Sequence, residues 1–350
     1  MLLEAGHEHH HDSSLGGPYL INDAGDVFAA SGAQGHHNNS SRVSPNPSST
    51  SNSTLVTEVG SNLEINLVWD SSISKAPSGF KTAIIDAAQY FVDTYLNPLS
   101  GGGKDIVNIK VGYGEIAGQT MSPSALGESE SYRYLTNYST VTGALANDGY
   151  SFSASNEPTS SQFFVTSADA KTMGLVGGTS TATDGFIDFS TLAHTGYSWN
   201  LSASVGPTNS GTGAKQFDLE SVAMHEISEV MGRIGMEGQA VNHKPTYTPL
   251  DLFNFASPGH LELGAGGGYF SVNNGNTNIG TFNAASLYGG DIAEWASAQS
   301  IADSATLGLL PGHQDSFDAF AFPGVNGDFS TADQQTLASL GYEAYSPIVA

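Results

Sequence analysis

The sequence predicts an α+β fold in which a twisted mixed sheet packs against two long helices. Apolar and polar residues alternate over 62–69 and again over 106–113, which predicts two strands, each with one buried face. Between these strands, apolar residues recur at helical spacing, at Phe80, Ile84, Ala87, Phe91 and Tyr95. A strand, a long helix and a second strand in this order predict a crossover unit whose two strands are parallel.

The second long helix is predicted over 217–232, where Asp218 is a suitable N-cap and Gly232 a suitable terminator. A short final helix is predicted between Ser330 and Tyr342, because a hydroxyl cap precedes it and a glycine follows its last leucine. The other predicted elements are short strands at 162–166 and 185–189 and a helix at 131–147.

Residues 1–55 are rich in Ser, Asn, Gly and His and show no apolar periodicity, so a disordered tail is expected there. A His cluster at 7–11 within this tail could bind transition metals loosely, but a solvated tail is the favoured explanation. One domain is expected over 56–345, with lobes at about 56–235 and 236–345; the second lobe is rich in Gly, Asn and Pro and should consist mainly of loops.

The composition restricts the possible partners. Lys and Arg number 10 against 34 Asp and Glu, a net charge of −24, so the surface should repel nucleic acid and anionic membranes. There is no cysteine, which excludes disulfides and thiolate chemistry. No apolar run approaches the ~20 residues of a membrane span, and residues 1–14 lack the apolar core of a secretory signal. We expect secretion by a type I or other non-classical route; a removed signal and a cytosolic location are the alternatives.

The run His225-Glu226-Ile227-Ser228-Glu229 differs from the helical zinc motif HExxH only in its last residue. In that motif two His side chains bind zinc, and the Glu beside the first His is the general base. A carboxylate also ligates zinc, so Glu229 can replace the second His. On a helix, His225 and Glu229 lie ~40° apart and Glu226 lies ~60° from Glu229. A solvated polar face would show the same pattern.

The wider stretch from Phe217 to Arg233 resembles the active-site helix of secreted zincin metalloproteases. Residues 185–189 resemble the edge strand that lines their substrate cleft, and 330–342 the closing helix of metzincin domains. HEISEVMGR also resembles, more narrowly, a family of secreted bacterial zincin- or metzincin-like metalloproteases with HExxE in place of HExxH. Three further segments carry this narrower resemblance: Pro249 to Phe253, Ala256 to Gly259 and Gly289 to Asp291.

This resemblance implies a zincin-like fold and a secreted, metal-dependent endopeptidase. His225 and Glu229 would bind the metal. Glu226 would be the general base, which takes a proton from the metal-bound water and passes it to the leaving amine. The substrate would be a protein or an extended peptide, paired with an edge strand in the cleft between the lobes.

Two features depart from the metzincin pattern: Gly235 stands ten residues after His225, where the third His is expected, and no Met follows Met236. A catalytic zinc usually has three protein ligands. The third ligand is expected to be Asp251, because it lies in a segment shared with the narrower family. The alternatives are Glu237, His243 and His260.

Zinc is the expected metal by analogy. A His/Glu/Asp ligand set carries two negative charges and favours harder cations, so manganese, calcium and an empty site remain open. Calcium is also considered as a structural ion. Four residues of a loop-rich stretch could bind it, although solvated turns explain them as well: Asp318, Asn326, Asp328 and Asp333.

Two functions therefore stay in competition. One is the endopeptidase. The other is a catalytically inactive extracellular protein that uses a zincin scaffold for binding or assembly, which the missing His ligands and the missing Met favour. A calcium-stabilised surface module is a third possibility.

Overall fold

The computed structural model describes residues 19–22, 27–29, 52–96, 103–202, 212–264, 267–284, 291–296, 309 and 313–344. The strands are β1 Tyr19–Asn22, β2 Val27–Ala29, β3 Ser53–Val56, β4 Leu63–Trp69, β5 Tyr95–Leu96, β6 Asp105–Tyr113, β7 Glu115–Ile116, β8 Gln119–Thr120, β9 Gly127–Asn137, β10 Gln162–Thr166, β11 Gly185–Phe189, β12 Ser198–Asn200, β13 Gln216–Asp218, β14 Ala240–Val241, β15 Lys244–Tyr247, β16 Asn254–Ser257, β17 His260–Leu261, β18 Tyr269–Phe270, β19 Gly280–Thr281, β20 Gln314–Asp315, β21 Gly327–Asp328 and β22 Glu343–Ala344. The helices are α1 Phe80–Thr94, α2 Tyr138–Asn147, α3 Ser167–Thr172, α4 Leu219–Val230 and α5 Thr331–Ser339, with 3-10 turns at Ser71–Lys75 and Leu250–Phe253.

A ten-stranded mixed sheet forms the centre of the molecule, in the order β14-β15-β10-β9-β11-β6-β4-β3, with β1 beside β9 and β2 beside β1. The predicted crossover unit is confirmed, because β4 and β6 are parallel neighbours and α1 lies between them in the chain. β11 continues the parallel set beside β6, whereas β9 runs antiparallel to both β10 and β11. The carboxyl ends of β4, β6 and β11 therefore lie side by side.

Both long helices are present, and they pack on each other. α1 also contacts β3 and β4, and α4 contacts β9 and β11. Four apolar residues of α4 are fully buried: Leu219, Ala223, Ile227 and Val230. Each large aliphatic side chain buried in this way contributes about 1.5–3 kcal/mol to stability. The structure thus combines a large mixed sheet with packed helices, as expected for an α+β fold.

The helix predicted over 131–147 is wrong for its first half. β9 extends to Asn137, whose side-chain oxygen accepts a hydrogen bond from the Thr140 main-chain N–H (3.0 Å) and so caps α2. The pattern of apolar residues could not predict this strand, because its buried positions include Ser129, Glu130 and Ser131. Polar side chains of this strand are buried against other polar groups, as Ser129 is against Glu229. A buried position in this strand is therefore not always an apolar one.

Two further expectations need correction. Residues 185–189 form a strand, but β11 lies inside the sheet between β6 and β9, so it is not an edge strand that lines a cleft. The predicted disordered tail falls mostly outside the described residues; within it, β1 and β2 pair with each other, and β1 pairs with β9.

The part of the chain after residue 235 is loop-rich, as expected, but it also contributes β15 to the large sheet beside β10. The predicted final helix is α5, and the hydroxyl cap is confirmed as a capping box between Ser330 and Asp333. None of the helices in the described ranges is long and apolar enough to span a bilayer.

Candidate functional site

α4 carries the HEISE run at the middle of the molecule. The alternative of a solvated polar face is excluded, because Glu226 and Glu229 are buried and only His225 is partly accessible. Three parts of the chain cover this face. β9 contacts it from the sheet side, and the segments 291–296 and 313–318 cover it from the C-terminal side.

His225 has different partners at its two ring nitrogens. Nδ1 lies 2.9 Å from the main-chain oxygen of Ser316. A carbonyl oxygen only accepts, so Nδ1 carries a hydrogen and Nε2 is turned toward carboxylates. Nε2 lies 3.5 Å from Oε1 of Glu229 and 3.3 Å from Oε1 of Glu294. The structure therefore brings together the predicted His225 and Glu229 with a third residue, Glu294, that sequence reasoning missed.

The two carboxylates are each held by their outer oxygen. Oε2 of Glu229 accepts a hydrogen bond from the Ser129 hydroxyl on β9 (2.8 Å). Oε2 of Glu294 accepts one from the Asp291 main-chain N–H (2.7 Å). The inner oxygens are thereby aimed at His225, one from α4 itself and one from the 291–296 segment.

Burial and charge act on this group in opposite directions. Burial lowers the pKa of His225, but the hydrogen bonds to Glu229 and Glu294 outweigh it and hold that pKa well above its usual value. Burial raises the pKa of Glu294, and the interaction with His225 partly offsets this. Glu229 and Glu294 thus favour the charged form of His225.

Glu226 points toward β9. A Cβ atom built on Gly127 would overlap the Glu226 carboxylate, so the missing side chain at Gly127 provides the space that this carboxylate fills. The negative charge of Glu226 also acts on His225 and raises its pKa further. Glu226, Glu229, Glu294 and His225 are called the HEISE site below.

An aromatic stack supports the HEISE site from behind. The ring of Phe317 stacks on the imidazole of His225. The guanidinium of buried Arg233 lies over the same Phe317 ring and over the ring of Trp295, which follows Glu294 in the chain. Arg233 also forms an ion pair with Asp333 at the start of α5. The stack thus connects His225 on α4 with Trp295, the residue after Glu294.

Asp251 was expected to be the third ligand, and the structure gives it other partners. Its Oδ2 accepts hydrogen bonds from the main-chain N–H groups of Met236 (3.1 Å), Glu237 (3.2 Å) and Thr248 (2.7 Å). The carboxylate that meets His225 beside Glu229 is that of Glu294. Asp251 fixes the loop after α4, and a Cβ atom built on Gly235 of this loop would lie 3.3 Å from Asp251 Oδ1.

The alternative ligands also lie elsewhere. His243 and His260 are exposed, and His260 Nδ1 is 3.0 Å from the Ser155 hydroxyl. Glu237 is buried beside Asn254, whose Nδ2 donates to Glu237 Oε1 (2.9 Å). The His cluster at 7–11 lies outside the described residues.

The loop residues considered for calcium are divided among separate roles. Asn326 Oδ1 accepts from the Thr212 main-chain N–H (2.9 Å), and Asp328 pairs with His313. Asp333 caps α5 and pairs with Arg233. Asp318 lies buried in the same region of the fold.

As they stand, the His, Asp and Glu side chains of the described residues form no group of three or more that could hold a metal ion. The HEISE site nevertheless has the chemistry of a ligand set, because it combines one imidazole nitrogen with carboxylate oxygens. A sequence signal for Glu294 did exist: it follows the Gly289 to Asp291 segment by three residues.

No model of a known protein family matches this chain, no curated protein matches it, and no solved structure matches it.

Proposed function

We propose that this chain is a secreted, zinc-dependent endopeptidase with a zincin-like scaffold. His225, Glu229 and Glu294 would bind the metal, and Glu226 would be the general base. The observation that carries the proposal is the convergence of two carboxylate oxygens on His225 Nε2, at 3.5 and 3.3 Å.

The spacing of these atoms fits a ligand set. Ligands about 2.0–2.2 Å from a tetrahedral metal lie roughly 3.3–3.6 Å from one another. The contact of His225 Nδ1–H with a main-chain carbonyl is the outer contact that metal-binding histidines usually make. As placed, however, the side chains do not already enclose an ion, so metal binding requires them to reorient.

A metal bound here would polarise the scissile carbonyl and make a nearby water more acidic. Glu226 would accept the proton of the attacking water and deliver it to the amine nitrogen as the C–N bond breaks. Gly127 would position Glu226 by leaving its carboxylate room against β9. Ser129 would keep Glu229 turned toward His225.

The two negative charges of the proposed ligand set affect which metal it would prefer. Two carboxylates and one imidazole favour a harder cation than three imidazoles do, so manganese is the first alternative to zinc. Secretion, by a type I or other non-classical route, and protein or peptide substrates belong to the same proposal.

The test is metal analysis and casein hydrolysis on protein purified without a polyhistidine column. We expect one zinc or manganese ion per chain. Glu226→Gln should keep the metal and lose activity by roughly 10²–10⁴-fold, the usual contribution of a general base. Glu294→Gln should lose the metal. The control is Glu237→Gln, which removes another buried carboxylate and should preserve both properties.

A catalytically inactive scaffold is the second candidate, because His225 is only 13% exposed and its Nε2 already has two carboxylate partners. It predicts no hydrolysis with zinc, manganese or calcium, and no difference between Glu226→Gln and the wild-type protein. Wild-type activity that survives Glu226→Gln would refute the proposed role of Glu226.

A further inference from the structure

A second group of carboxylates gathers where the parallel strands end. Asp70 directly follows β4, and Glu115 begins β7 shortly after β6 ends. Asp188 lies on β11, and in the sheet it is directly opposite Glu128 of β9. Residues that face each other in this way project from the same side of a sheet, where like charges repel. Asp70, Glu115, Glu128 and Asp188 are called the Asp188 cluster below.

Asp188 is the innermost member of this cluster. Its side chain is only 1% exposed, and its Oδ1 has no hydrogen-bond partner within the described part of the chain. A buried carboxylate without donors is costly, because it has lost water and gained nothing in return. The position therefore requires a proton or a cation.

The space around Asp188 is formed by Gly112, its cross-strand partner on β6. A Cβ atom on Gly112 would overlap the Asp188 carboxylate and would lie 2.7 Å from the main-chain oxygen of Glu115. The Asp188 carboxylate oxygen and the Glu115 main-chain oxygen thus border the same small space, which is open because residue 112 has no side chain.

The charges around the cluster are mostly of one sign. Burial is the main reason that the pKa of Asp188 rises to about 10, and the negative charges of four carboxylates contribute to this rise: Asp70, Glu115, Glu128 and Glu130. The hydrogen bond that protonated Glu115 donates to Asp70 is the main reason that the pKa of Glu115 rises to about 7, and Lys75 opposes this rise. Negative charges are thus gathered around a buried carboxylate, and a cation would offset them.

We infer that the Asp188 cluster binds a divalent cation, and that this cation is calcium. The donors are carboxylates and a main-chain carbonyl, with no imidazole or thiolate, and oxygen sets of this kind suit calcium. Calcium takes six to eight oxygen ligands in flexible geometry. The carboxylates do not yet surround one point, and the partly exposed Asp70, Glu115 and Glu128 would turn toward the ion.

The cluster is separate from the HEISE site, but β9 connects them. Glu128 belongs to the cluster, whereas its neighbours Gly127 and Ser129 contact Glu226 and Glu229. The inference does not rest on the proposed peptidase activity, because calcium binding here requires no metal at His225.

The experiment is thermal unfolding of the chelator-stripped full chain with added calcium, magnesium or zinc. Calcium at 1–10 mM should raise the wild-type Tm by roughly 3–8 °C, as expected for an extracellular site of modest affinity. Asp188→Asn should abolish this rise. Its Tm without calcium should equal or exceed that of the wild type, because the substitution removes an uncompensated buried carboxylate.

The matched control is Asp169→Asn. Asp169 is also fully buried, and its carboxylate oxygens have no hydrogen-bond partner within the described residues, but it lies outside the cluster. This variant should keep the full calcium response. A wild-type Tm that calcium leaves unchanged, or an Asp188→Asn variant that still responds, would overturn the inference. An equal response to magnesium would overturn the assignment to calcium.

Discussion

The ring of Phe317 lies parallel to the imidazole of His225, with centroids 4.1 Å apart and planes inclined by 4°. The guanidinium carbon of Arg233 lies 3.4 Å from the centroid of the same phenyl ring. Two groups this close to one centroid must occupy opposite faces of the ring. Phe317 is therefore clamped between them, and the orientation of His225 toward Glu229 and Glu294 is fixed by a ring as well as by a hydrogen bond.

Phe317→Leu should lower zinc affinity roughly tenfold, because loss of an outer contact lets a metal-binding imidazole rotate. Isothermal titration with zinc would measure this. Phe163→Leu is the control: Phe163 is equally buried, but it packs with Tyr138 and Tyr247 in another part of the core. Both variants should lose stability, and equal zinc affinities would show that the stacked ring does not position His225.

Gly127→Ala should reduce peptidase activity at least tenfold without removing the metal, because a methyl group there would displace the Glu226 carboxylate. Initial rates of casein hydrolysis, with metal content measured in parallel, test this. Gly143→Ala on α2 is the control, since a Cβ there meets nothing within 4 Å. That variant should keep full activity and gain about 0.5–1 kcal/mol of stability from the helix.

Asp251→Asn should show whether Asp251 stabilises the fold or binds the metal. It weakens the acceptor that holds the N–H groups of Met236, Glu237 and Thr248, so we expect a loss of about 1–3 kcal/mol in the free energy of unfolding. The metal content should remain at the wild-type level. Urea denaturation and elemental analysis would measure the two effects, and a metal-free but stable variant would restore Asp251 as a ligand.

Glu237 should make stability decrease with pH. Burial, and to a lesser extent Asp251 and Glu262, raises its pKa to about 9, far above the ordinary value of 4.5. Between these values the unfolded chain releases a proton that the folded chain keeps. The stabilisation is therefore complete below the ordinary pKa and is lost as the pH rises toward 9.

Glu237→Gln should flatten this dependence, since an amide oxygen can still accept from Asn254 without ionising. Urea denaturation from pH 6 to pH 9 should give a shallower slope for the variant and higher stability than wild type at the alkaline end. Parallel curves for the two proteins would contradict the assignment.

The parts of the fold with a periodic apolar face were predictable. β4, α1 and β6 each bury such a face and were located by spacing, whereas α4 was located by its cap and terminator residues. β9 could not be located in this way, because burial there follows polar partners: Ser129 contacts Glu229, and the neighbouring Glu128 faces Asp188.

The same distinction applies to the HEISE site. His225, Glu226 and Glu229 are local to one helix, so their spacing was visible in the sequence. Glu294 and Phe317 come from irregular segments that have no period, and only the tertiary fold brings them to α4. Asp251 lies in a recognisable segment, but the fold pairs it with main-chain N–H groups and brings Glu294 to His225.

Within the described part of the chain, His225 contacts three residues that follow position 290: Glu294, Ser316 and Phe317. A nascent chain that ends before this point would carry the motif without the groups that orient it. If the proposed activity is correct, a partly synthesised or partly exported chain would not hydrolyse the proteins around it. Under that proposal, hydrolytic capacity would arise only once the segments that carry Glu294, Ser316 and Phe317 have folded onto α4.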